Sequence, residues 1–523
     1  MFLHKLILLV VSLILVTKNV NSERILAMVM IPSYSHQMFY QPLWRELAIK
    51  GHDVVVITTD PTNEVLPNFK EIGIKESYPT MKKFLDEMIN TTMLQNIWEN
   101  KWAEVSISLT EFQFNLPQIQ ELIHNKSEHF DLLIIEHFPS PAFGLQYRFN
   151  CSMIGVVSLD AMSVSHEIMG NADHFILYPS AILPYQEDFT FVQRIGALMF
   201  GVVVNYMQYA SFGMYTDLAR QYFGKDMPPI GDIIEKTDML FVNANPVFSQ
   251  VRPYTPSTIS IAGGMHMKAE KPLPKNLKDF LDNAKDGAIY FSLGSNVRSN
   301  ELSMNLRKII METLAQVPYP VLWKFENDDL PGKPDNVMIT KWAPQQDVLR
   351  HKNVKLFITQ GGLQSLEESL YSHVPVVVLP FFGDQEANAD KVNRKGMGVA
   401  LDRHNLNVED FKKAIFEVME NPSYRNTVKQ MAIRIQDTPR TPLENAVWWI
   451  EYVLRHKGAQ HLKGPRIPFY QYYYLDVIFV LGATVSTLIG LLILSVKYIC
   501  RGVCCLMKCN KTKTTKKEKV KKN

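Results

Sequence analysis

Residues 342–385 carry polar and aromatic side chains in a pattern that suits the binding of an anionic nucleotide. An apolar run over Leu356–Thr359 predicts a strand, and it leads through Gly361 and Gly362 into a predicted helix. Because the first turn of a helix has backbone N–H groups without partners, such a junction is a ready site for a diphosphate. This stretch therefore predicts a site for the phosphates of a nucleotide.

The polar residues around the glycines add places for a ribose and a base. Glu368 lies four residues after Gln364, so both side chains face the same side of the helix. A carboxylate at this position can accept a pair of ribose hydroxyls, and Trp342 offers a plane on which a base can stack. Each feature also has an ordinary explanation, namely a tight turn, a solvated carboxylate and a core tryptophan. Their joint spacing favours the nucleotide site.

A histidine near the start of the chain is placed for proton transfer. The predicted strand Ile25–Ile31 leads through Pro32 to His36. A helix follows and runs to about Lys50, where Gly51 can end it. His36 thus lies at the carboxyl edge of a strand and at a helix N-terminus, whose positive end disfavours imidazolium. We therefore expect a neutral His36 that can accept a proton.

A general base of this kind needs a carboxylate to orient it and to stabilise its charged form. The apolar strand that begins at Asp131 ends in Glu136, at the sheet edge where we expect His36. Glu136 is therefore the predicted partner, and His137 beside it is a weaker alternative. Asp131 should lie at the opposite edge, and His52 is assigned no chemistry.

Two parallel sheets are needed to position these side chains. Short runs rich in β-branched residues alternate with longer amphipathic stretches in each half of the chain, and continuous apolar strands indicate burial on both faces. Two such sets predict an α/β protein with two doubly wound, Rossmann-like domains. The predicted strands are Ile25–Ile31, Val54–Thr58, Leu132–Ile135, Ile154–Ser158 and Leu240–Asn243 in the first half, and Ala288–Leu293, Val321–Lys324, Val337–Thr340, Leu356–Thr359 and Val374–Leu379 in the second.

The domain boundaries follow from composition. We predict a first domain over residues 23–255, a linker over 256–285 and a second domain over 286–465. The region between the domains is marked by four prolines and a glycine pair, which are typical of a linker. These residues are Pro253, Pro256, Pro272, Pro274, Gly263 and Gly264.

Residues 189–215 form an unusually apolar segment with Arg194 as the only charge. The composition predicts a helix. Three surroundings are open to it: the protein core, which is the default, a substrate pocket, or a membrane surface.

The charge of the chain is uneven. Of a net charge of +3, the segment Lys497–Asn523 carries +9 and residues 1–22 carry +2, so the remainder is acidic at −8. A nucleic-acid-binding protein would carry its basic residues on the folded surface, so we expect no nucleic-acid partner. The length of 523 residues, with 46% hydrophobic and 20% charged residues, indicates two or more folded domains and excludes disorder for most of the chain.

The two ends of the chain predict a lumenal body with a membrane anchor. Residues 1–22 have a basic start, a short apolar run and a small residue before Glu23, as in a signal peptide. Residues 477–496 are uncharged and long enough to span a bilayer as one helix. The basic segment 497–523 follows, which predicts a cytosolic tail and a lumenal body. Lys519 and Lys521 resemble a dilysine signal for retrieval to the endoplasmic reticulum, although a solvated basic tail is the alternative.

Cysteine usage agrees with this arrangement. Cys151 is the only cysteine in the predicted lumenal body, so no intrachain disulfide is expected there. The other four lie next to the predicted span, where palmitoylated thiols are a stronger interpretation than a metal site. Three sequons begin at Asn90, Asn125 and Asn150, and the last lies next to a predicted strand.

The stretch from Trp342 to Gln385 resembles the signature of the UDP-glycosyltransferases, the family 1 glycosyltransferases of animal endoplasmic reticulum. The match includes Trp342-Ala343-Pro344-Gln345, Gln360-Gly361-Gly362 and Asp384-Gln385, and the predicted signal peptide, membrane anchor and lysine tail agree with it. The resemblance implies the GT-B fold, in which two Rossmann-like domains face a cleft. The first domain would bind the acceptor and the second the UDP-sugar.

The resemblance also implies residue roles. Trp342 would stack on uracil, Gln345 would touch the base or ribose, and Glu368 would hold the ribose hydroxyls. Ser292, Gly294, Gln360, Gly361, Gln364 and Ser365 would lie along the diphosphate, and Asp384 and Gln385 would bind sugar hydroxyls. His36 would be the catalytic base, with Glu136 where family members commonly carry Asp.

Two departures from the family pattern concern the diphosphate. Many members have His at the position of Gln360 and Asn at that of Gln364. Gln can donate a hydrogen bond to a phosphate but adds no positive charge. The Gln-Gly-Gly-Leu-Gln-Ser form resembles the insect branch, which favours glucose, whereas vertebrate members often use glucuronate.

The predicted enzyme is thus an inverting hexosyltransferase that acts on small lipophilic acceptors, as in detoxification, without a metal or other cofactor. A homo-oligomer is possible. Two other hypotheses remain open at this point: a UDP-sugar epimerase or hydrolase of the same fold, and a non-catalytic protein that binds hydrophobic ligands.

Overall fold

The computed structural model of the chain describes residues 22–89, 91 and 93–520. The predicted signal peptide up to residue 21, the sequon at Asn90 and the final residues from Lys521 onward lie outside these ranges. Asn125 and Asn150, at the other two sequons, are exposed.

The first sheet contains seven parallel strands in the order β3-β2-β1-β4-β5-β6-β7. All five strands predicted for the first half are present, and β3 and β7 are additions at the two edges. The strands are β1 Arg24–Met28, β2 Asp53–Thr58, β3 Phe69–Gly73, β4 Leu132–Glu136, β5 Ser152–Val157, β6 Met239–Val242 and β7 Thr258–Ser260.

The second sheet contains six parallel strands in the order β10-β9-β8-β11-β12-β13. The five predicted strands are again present, and β13 is an addition at one edge. The strands are β8 Ala288–Ser292, β9 Val321–Lys324, β10 Val337–Thr340, β11 Val354–Thr359, β12 Val376–Val378 and β13 Gly398–Ala400.

Helices cover both faces of each sheet, which explains why the central strands are apolar throughout. Successive residues of β1 enter opposite cores, Ile25 on one face and Leu26 on the other, and Ile289 and Tyr290 of β8 do the same. The helices of the first half are α1 Tyr34–Ile49, α2 Tyr78–Ile89, α3 Met93–Trp98, α4 Lys101–Phe114, α5 Pro117–His124, α6 Gly144–Phe149, α7 Ser163–Ile168, α8 Phe191–Phe223 and α9 Ile230–Ile234. Those of the second half are α10 Lys275–Asn283, α11 Met304–Leu314, α12 Gln345–Arg350, α13 Leu363–Tyr371, α14 Gln385–Lys395, α15 Val408–Glu420, α16 Pro422–Gln436 and α17 Pro442–His456.

The predicted domain boundaries differ from the structure in two places. The predicted linker 256–285 contains the edge strand β7 of the first sheet and the helix α10, whose Leu277 and Leu281 belong to a core of the second domain. Helix α17 lies in the sequence range assigned to the second domain, but it packs Val447 and Ile450 into the core beside β1 of the first. The prolines and glycines mark breaks between elements, but they do not show on which domain a neighbouring helix packs.

The chain therefore passes between the domains twice, once after β7 and once between α16 and α17. The two crossings lie side by side at Gly263, whose φ is +108°. A Cβ added there would lie 3.3 Å from Cγ2 of Ile435 and 3.5 Å from Cγ of Pro442. Both the backbone conformation and the close approach of the second crossing therefore favour glycine at this position.

A separate unit begins at Pro465. It contains the short helix α18 Phe469–Tyr472 and the long helix α19 Leu475–Val520. The part of α19 up to Asn510 is long and apolar enough to cross a membrane, and none of its most apolar window is buried within the protein. The predicted span 477–496 lies inside this helix.

Candidate active site

The sequence-predicted residues lie where the order of strands reverses in each sheet. In an open parallel sheet, ligands bind outside the carboxyl ends of the strands at such a point. In the first sheet the point lies between β1 and β4, which lead to His36 and Glu136. In the second it lies between β8 and β11, which lead to Gly294 and Gln360.

The two carboxyl edges contact each other directly. The side-chain amide of Asn296 in the second domain donates to Oγ of Ser33 in the first, at 3.1 Å. Ser33 precedes α1 and lies three residues before His36. The predicted base therefore lies beside the second domain.

His36 and Glu136 form the predicted pair. The Nδ1 atom of His36 lies 2.5 Å from Oε1 of Glu136. The carboxylate is buried, and its second oxygen accepts a hydrogen bond from the backbone N–H of Ile31 at 3.1 Å. Since Glu136 holds Nδ1, the nitrogen left to receive a proton from a substrate is Nε2.

The pKa of His36 shifts in the opposite direction from the one that the helix end alone predicts. Burial lowers the pKa of His36, but the adjacent Glu136 carboxylate and the more distant Asp384 raise it, and the net pKa lies above its usual value. A carboxylate at hydrogen-bond distance thus outweighs both burial and the partial charge of the helix end in setting this pKa. His36 loses its proton at a higher pH than an isolated histidine.

Asp384 enters this site from the second domain. Its carboxylate accepts a hydrogen bond from the side-chain amide of Asn388 at 2.7 Å. Burial raises the pKa of Asp384, whereas the bond from Asn388 and the cations Lys391 and His36 oppose the rise. The site thus contains carboxylates from both domains around one imidazole.

A cavity of about 270 Å³ is lined by Ser35, the neighbour of His36 in the chain, and brings together most of the residues predicted to bind the nucleotide. Trp342 lies at its wall and is more than half exposed, with its ring 5.4 Å from that of Tyr34 in an edge-to-face contact. A large face of the indole therefore remains open to a planar base. The other predicted residues that line the cavity are Ser292, Gly294, Gln345, Gln360, Gln364, Ser365 and Glu368.

Glu368 is held by two glutamine amides. Gln345 donates to one carboxylate oxygen at 2.7 Å and Gln346 to the other at 2.8 Å. Gln345 also donates to Oγ of Ser365 at 2.9 Å. Each carboxylate oxygen keeps capacity for a second hydrogen bond, so Glu368 can still accept from a pair of hydroxyls.

The start of α13 provides unpaired backbone donors. Gly362 precedes the helix without a side-chain cap, so the N–H groups of its first turn are available to an anion. Gly361 has a φ of +88°, and a Cβ there would lie 2.7 Å from Cγ1 of Val378. A Cβ on Gly294 would lie 2.6 Å from Nε2 of Gln360, so glycine lets the two loops approach. The Oε1 atom of Gln360 is buried without a hydrogen-bond partner among the described residues.

Three predicted residues have their polar groups engaged within the protein. Gln364 donates to the backbone carbonyl of Ser158 in the first domain at 2.8 Å. Gln385 is buried, and its side-chain oxygen accepts from the backbone N–H of Phe381 at 2.8 Å. Ser292 is buried and accepts from the N–H of Gly294 at 3.3 Å. Asp384 and Gln385 do not line the 270 Å³ cavity.

The remaining titratable candidates behave as expected. His137 is buried between Ser165 and Thr237, at 2.9 and 3.1 Å, and burial lowers its pKa to about 3. It is a neutral core residue. Asp131 accepts a bond from the backbone N–H of Arg24 at the start of β1, the opposite edge of the sheet.

Sequence reasoning missed a cation beside the cavity. Lys324 ends β9, is largely buried, and lines the cavity. Its ammonium donates to the carbonyl of Gly294 at 2.8 Å and contacts Glu326 at 2.9 Å. A lysine at the carboxyl end of a predicted strand was the available signal. It places a positive charge near Gln360, where no charge was expected.

A second missed group lies behind Glu368. His266 is fully buried, and its two ring nitrogens lie 3.7 Å from a carboxylate oxygen of Glu367 and of Glu368. Burial lowers the pKa of His266 to about 4 and raises that of Glu367 to about 7. Glu367 also accepts from the amide of Asn243 in the first domain at 3.1 Å. A proton held at Glu367 avoids two buried, adjacent negative charges.

The fold is that of the GT-B glycosyltransferases. The chain is similar to the solved glycotransferase of kitacinnamycin, with a TM-score of 0.57 and 16% identity over 83% of this chain and 100% of that one. Both structural domains therefore match that fold.

Sequence comparison gives the family. The model described as "UDP-glucoronosyl and UDP-glucosyl transferase" matches residues 24–513, and the chain belongs to this family. It is 32% identical to the UDP-glycosyltransferase UGT5 of Dactylopius coccus, over 96% of this chain and 97% of that protein. It is 31% identical to the ecdysteroid UDP-glucosyltransferase of Spodoptera littoralis nuclear polyhedrosis virus, over 88% and 93%. The protein is a UDP-glycosyltransferase, and its apolar C-terminal helix indicates a membrane-anchored one.

Proposed function

We propose that this enzyme transfers glucose from UDP-glucose to hydroxyl groups of small lipophilic acceptors by a single inverting displacement. The observation that carries the proposal is the His36–Glu136 pair, which lies next to Ser35 on the wall of the 270 Å³ cavity. Nε2 of His36 takes the proton of the acceptor hydroxyl while its oxygen attacks the anomeric carbon. The bond from that carbon to the phosphate oxygen breaks, and UDP leaves with the electron pair.

The donor is proposed to bind as follows. Uracil stacks on Trp342, and the ribose hydroxyls donate to Glu368, with Gln345 beside them. The diphosphate lies over Gly361 at the start of α13 and near Gln360. This part of the cavity is lined by Ser292, Gly294, Gln364 and Ser365. The hydroxyls of the sugar bind to Asp384 and Gln385.

Hydrogen bonds within the protein and a nearby lysine modify the roles proposed for the donor-binding residues. Because Gln364 and Gln385 already bond to protein groups, donor binding either exchanges those bonds or leaves both residues in a positioning role. Lys324 lies beside Gly294 and is paired with Glu326, so it can give the diphosphate a charged hydrogen-bond donor that glutamine at position 360 does not supply.

Glucose is the proposed sugar. Asp384 places a carboxylate, a good partner for hydroxyl groups, where the family resemblance puts the sugar. A glucuronate carboxylate at the same position would be repelled. The viral relative is named a UDP-glucosyltransferase, which supports the same choice. Direct comparison of UDP-glucose with UDP-glucuronate as donors tests this, and a higher kcat/KM with UDP-glucuronate would overturn it.

The acceptor site is proposed to be a second cavity of about 710 Å³ between the domains. Its wall is largely apolar, with charged groups among the lining residues, and it shares Ser295 with the nucleotide cavity. Such a lining suits a lipophilic molecule with one reactive hydroxyl, as in detoxification. The apolar lining residues are Met81, Leu85, Val297, Leu302, Leu306 and Phe381.

The proposed location is the endoplasmic reticulum membrane, with the body in the lumen, one spanning helix over residues 477–496 and a cytosolic tail over 497–523. The basic tail supports this orientation by the positive-inside rule. Changing Lys519 and Lys521 to serine should let the protein leave the endoplasmic reticulum. If its glycans then remain sensitive to endoglycosidase H, those lysines do not retain it.

One incubation separates transfer from the two other hypotheses. With UDP-glucose present, release of UDP that depends on an added phenol supports glycosyl transfer. Release without any acceptor supports an epimerase or hydrolase, and no release supports a binding protein. The same assay with EDTA tests the proposal that no metal or other cofactor takes part, since an unchanged rate is expected.

A further inference from the structure

A buried histidine lies between the carboxylates of two adjacent glutamates on α13. Nδ1 of His266 lies 3.7 Å from Oε2 of Glu367, and Nε2 lies 3.7 Å from Oε1 of Glu368. The imidazole is fully buried, and both glutamates are largely buried. Glu368 lines the nucleotide cavity, whereas the other two residues do not. We call these three side chains the His266 cluster.

The two ring nitrogens of His266 have no hydrogen-bond partner among the described residues. Buried polar atoms are nearly always paired, because an unpaired one has lost its hydration without compensation. A separation of 3.7 Å leaves no room for a water molecule between the atoms and is too long for a direct bond. Since both carboxylates belong to α13, a shift of the ring toward this helix on the order of 1 Å brings both within hydrogen-bond distance.

The chemistry of imidazole determines which protons such a cluster needs. A neutral ring has one nitrogen that donates and one that accepts. Glu368 already accepts from two glutamine amides, so the ring nitrogen that faces it is the donor. The backbone carbonyl of Gln364, on the same side of α13 as Glu368, is a further acceptor near the ring. The nitrogen that faces Glu367 is then the acceptor, and it has a donor only while Glu367 keeps its proton.

The surroundings of Glu367 favour that proton. Burial raises the pKa of this carboxyl to about 7, and the charge of Glu368 adds to the rise, whereas bonds from Asn243 and from the backbone of Gly263 oppose it. The N–H of Gly263 donates to Oε1 at 3.5 Å, which leaves Oε2 as the oxygen to be protonated. Oε2 accepts from the amide of Asn243 at 3.1 Å and, as a hydroxyl, can still donate to His266.

The other charged and titratable groups near the cluster do not replace this proton. Burial lowers the pKa of His266 to about 4, and Lys268 lowers it further, so the ring is neutral near pH 7. Burial raises the pKa of Glu368, and its two glutamine partners, Arg350 and Lys268 oppose that rise. Tyr371 donates its hydroxyl to the hinge carbonyl beside Glu367 and keeps its proton, because its pKa is raised to about 12.

From this geometry we propose that His266 and Glu367 are positioning residues for donor binding, which act by holding the Glu368 carboxylate in place for the ribose. Nε2–H of His266 donates to Glu368 while Nδ1 accepts the proton of Glu367. The first domain supports this arrangement, since Phe39 of α1 packs on the imidazole with ring centroids 5.6 Å apart. The inference rests on the proposed role of Glu368 as the ribose ligand.

The arrangement assigns the two oxygens of Glu368 different tasks. Oε1 accepts from Gln346 and His266 and is then fully used. A ribose hydroxyl binds at Oε2, and a second hydroxyl can take the place of the Gln345 amide on the same oxygen. Gln345 is thereby released to bond with the ribose or the base.

The proton on Glu367 also affects the charge that the donor meets. Loss of the proton would leave a second buried negative charge next to Glu368 and would remove the donor to Nδ1 of His266. The diphosphate of UDP-glucose is itself negative, so donor binding should weaken as Glu367 ionises. A single linked proton changes Kd by at most about tenfold per pH unit.

The first test compares the pH dependence of donor binding in two enzymes. Calorimetry on the full chain in nanodiscs, without acceptor, gives the Kd of UDP-glucose, whose phosphates carry no proton that titrates in this range. In the unchanged enzyme Kd should rise as pH increases above about 7. Glu367→Gln keeps a neutral donor to Nδ1 at every pH, so its Kd should match below pH 7 and lack this rise. Because His36 contributes equally to both profiles, their difference reports Glu367.

The second test removes the ring. His266→Leu should raise the Kd of UDP-glucose about tenfold or more, since a hydrogen bond to a charged group is lost. His266→Gln, whose amide can accept from one glutamate and donate to the other, should restore much of the affinity. With the 2′,3′-dideoxy analogue of UDP-glucose the leucine variant should bind as well as the unchanged enzyme. His137→Asn removes a neutral buried imidazole elsewhere and should leave Kd unchanged; circular dichroism checks that each variant is folded.

Two results would overturn the proposal. The first is a rise of Kd with pH in Glu367→Gln equal to that of the unchanged enzyme, which would exclude Glu367 as the linked proton. The second is an equal loss of affinity for UDP-glucose and for its dideoxy analogue in His266→Leu, which would show a purely structural role. Glu368→Ala tests the proposed function separately: normal binding of UDP-glucose there would refute the ribose site itself, and the inference with it.

Discussion

Nδ1 of His36 lies 2.5 Å from a carboxylate oxygen of Glu136, although one hundred residues separate them in the chain. They meet because β1 and β4 are neighbouring parallel strands that end at the same sheet edge. Glutamate in place of the more usual aspartate does not prevent the pair from forming. Glu136 belongs to the strand itself, and its longer side chain reaches the imidazole from there.

Loss of this pair should slow the chemical step. We expect His36→Ala to lower kcat by roughly 10²–10⁴, as is typical for a general base, with little change in UDP binding. Loss should be greater for aliphatic alcohols than for phenols, which ionise more easily. Steady-state kinetics with matched acceptors and calorimetry with UDP check this. Full activity of a folded His36→Ala enzyme would refute the mechanism.

The double variant His36→Ala with Glu136→Gln should be hardly slower than His36→Ala alone. Glu136 is expected to act only through His36. Once His36 is absent, removing Glu136 should therefore not lower kcat further. A double-mutant cycle on kcat measures the coupling. Multiplicative losses would place Glu136 in another role, such as acceptor binding.

The pH dependence of the reaction should follow the charges around His36. Its pKa is raised because Glu136 and Asp384 outweigh burial, and the base works only when neutral, so activity should rise as pH rises through that pKa. Glu136→Gln removes the largest raising influence, and the acid limb of kcat/KM should move to lower pH. Asp131→Asn, at the far end of β4, is the matched control and should leave the limb in place.

Base stacking can be tested at Trp342. Trp342→Ala should raise the KM for UDP-glucose by about 5- to 150-fold, since stacking on an aromatic side chain contributes about 1–3 kcal/mol. Trp342→Phe should restore much of the affinity. The acceptor KM should not change, because Trp342 lines only the nucleotide cavity. An unchanged donor KM in the alanine variant would remove Trp342 from the site.

His266 and Glu367 should give opposite slopes of stability against pH. Glu367 has a pKa of about 7 in the folded protein, whereas in the unfolded chain it loses its proton near pH 4.5. Its contribution to stability therefore falls as pH rises between these two values. His266, with a pKa of about 4, is neutral in the folded state while the unfolded chain is protonated below about 6.5, so its contribution rises over that window. Over most of the shared range the two cancel.

Single substitutions should expose each slope. Relative to the unchanged enzyme, Glu367→Gln should become more stable as pH rises from about 4.5 to 7, and His266→Asn should become less stable as pH rises from about 4 to 6.5, each by up to about 1.4 kcal/mol of unfolding free energy per pH unit. Thermal unfolding across this range measures both. Parallel profiles for the two variants would mean that the groups do not titrate as described.

The sequence predicts the centre of each sheet better than its edges. Central strands such as β1 and β8 are apolar throughout because helices cover both faces. The edge strand Phe69–Gly73 has one buried residue among half-buried and exposed ones, and β7 and β13 have three residues each, so neither pattern nor length marks them. Their pairing depends on a neighbouring strand, which local sequence does not show.

The same limit applies to the site. The spacing from Trp342 to Gln385 places most of the nucleotide cavity on one sheet edge, since those residues are close in the chain. The bond from Gln364 to Ser158 and the position of His266 beside Glu368 join residues far apart in sequence. Only the packing of the two domains brings these groups together.

The adjacent crossings at Gly263 and Pro442 have the geometry of a single hinge. Two chain segments that cross side by side between the domains define an axis. The domains can rotate about this axis without stretching either segment. Contacts away from the axis must open during such a rotation. One of them is the ion pair between Lys82 and Glu301, whose charged atoms lie 3.0 Å apart. Because both side chains are exposed to solvent, this pair opposes the rotation by at most about 1 kcal/mol. Both residues line the larger cavity, so rotation about this axis would widen the mouth of the proposed acceptor site.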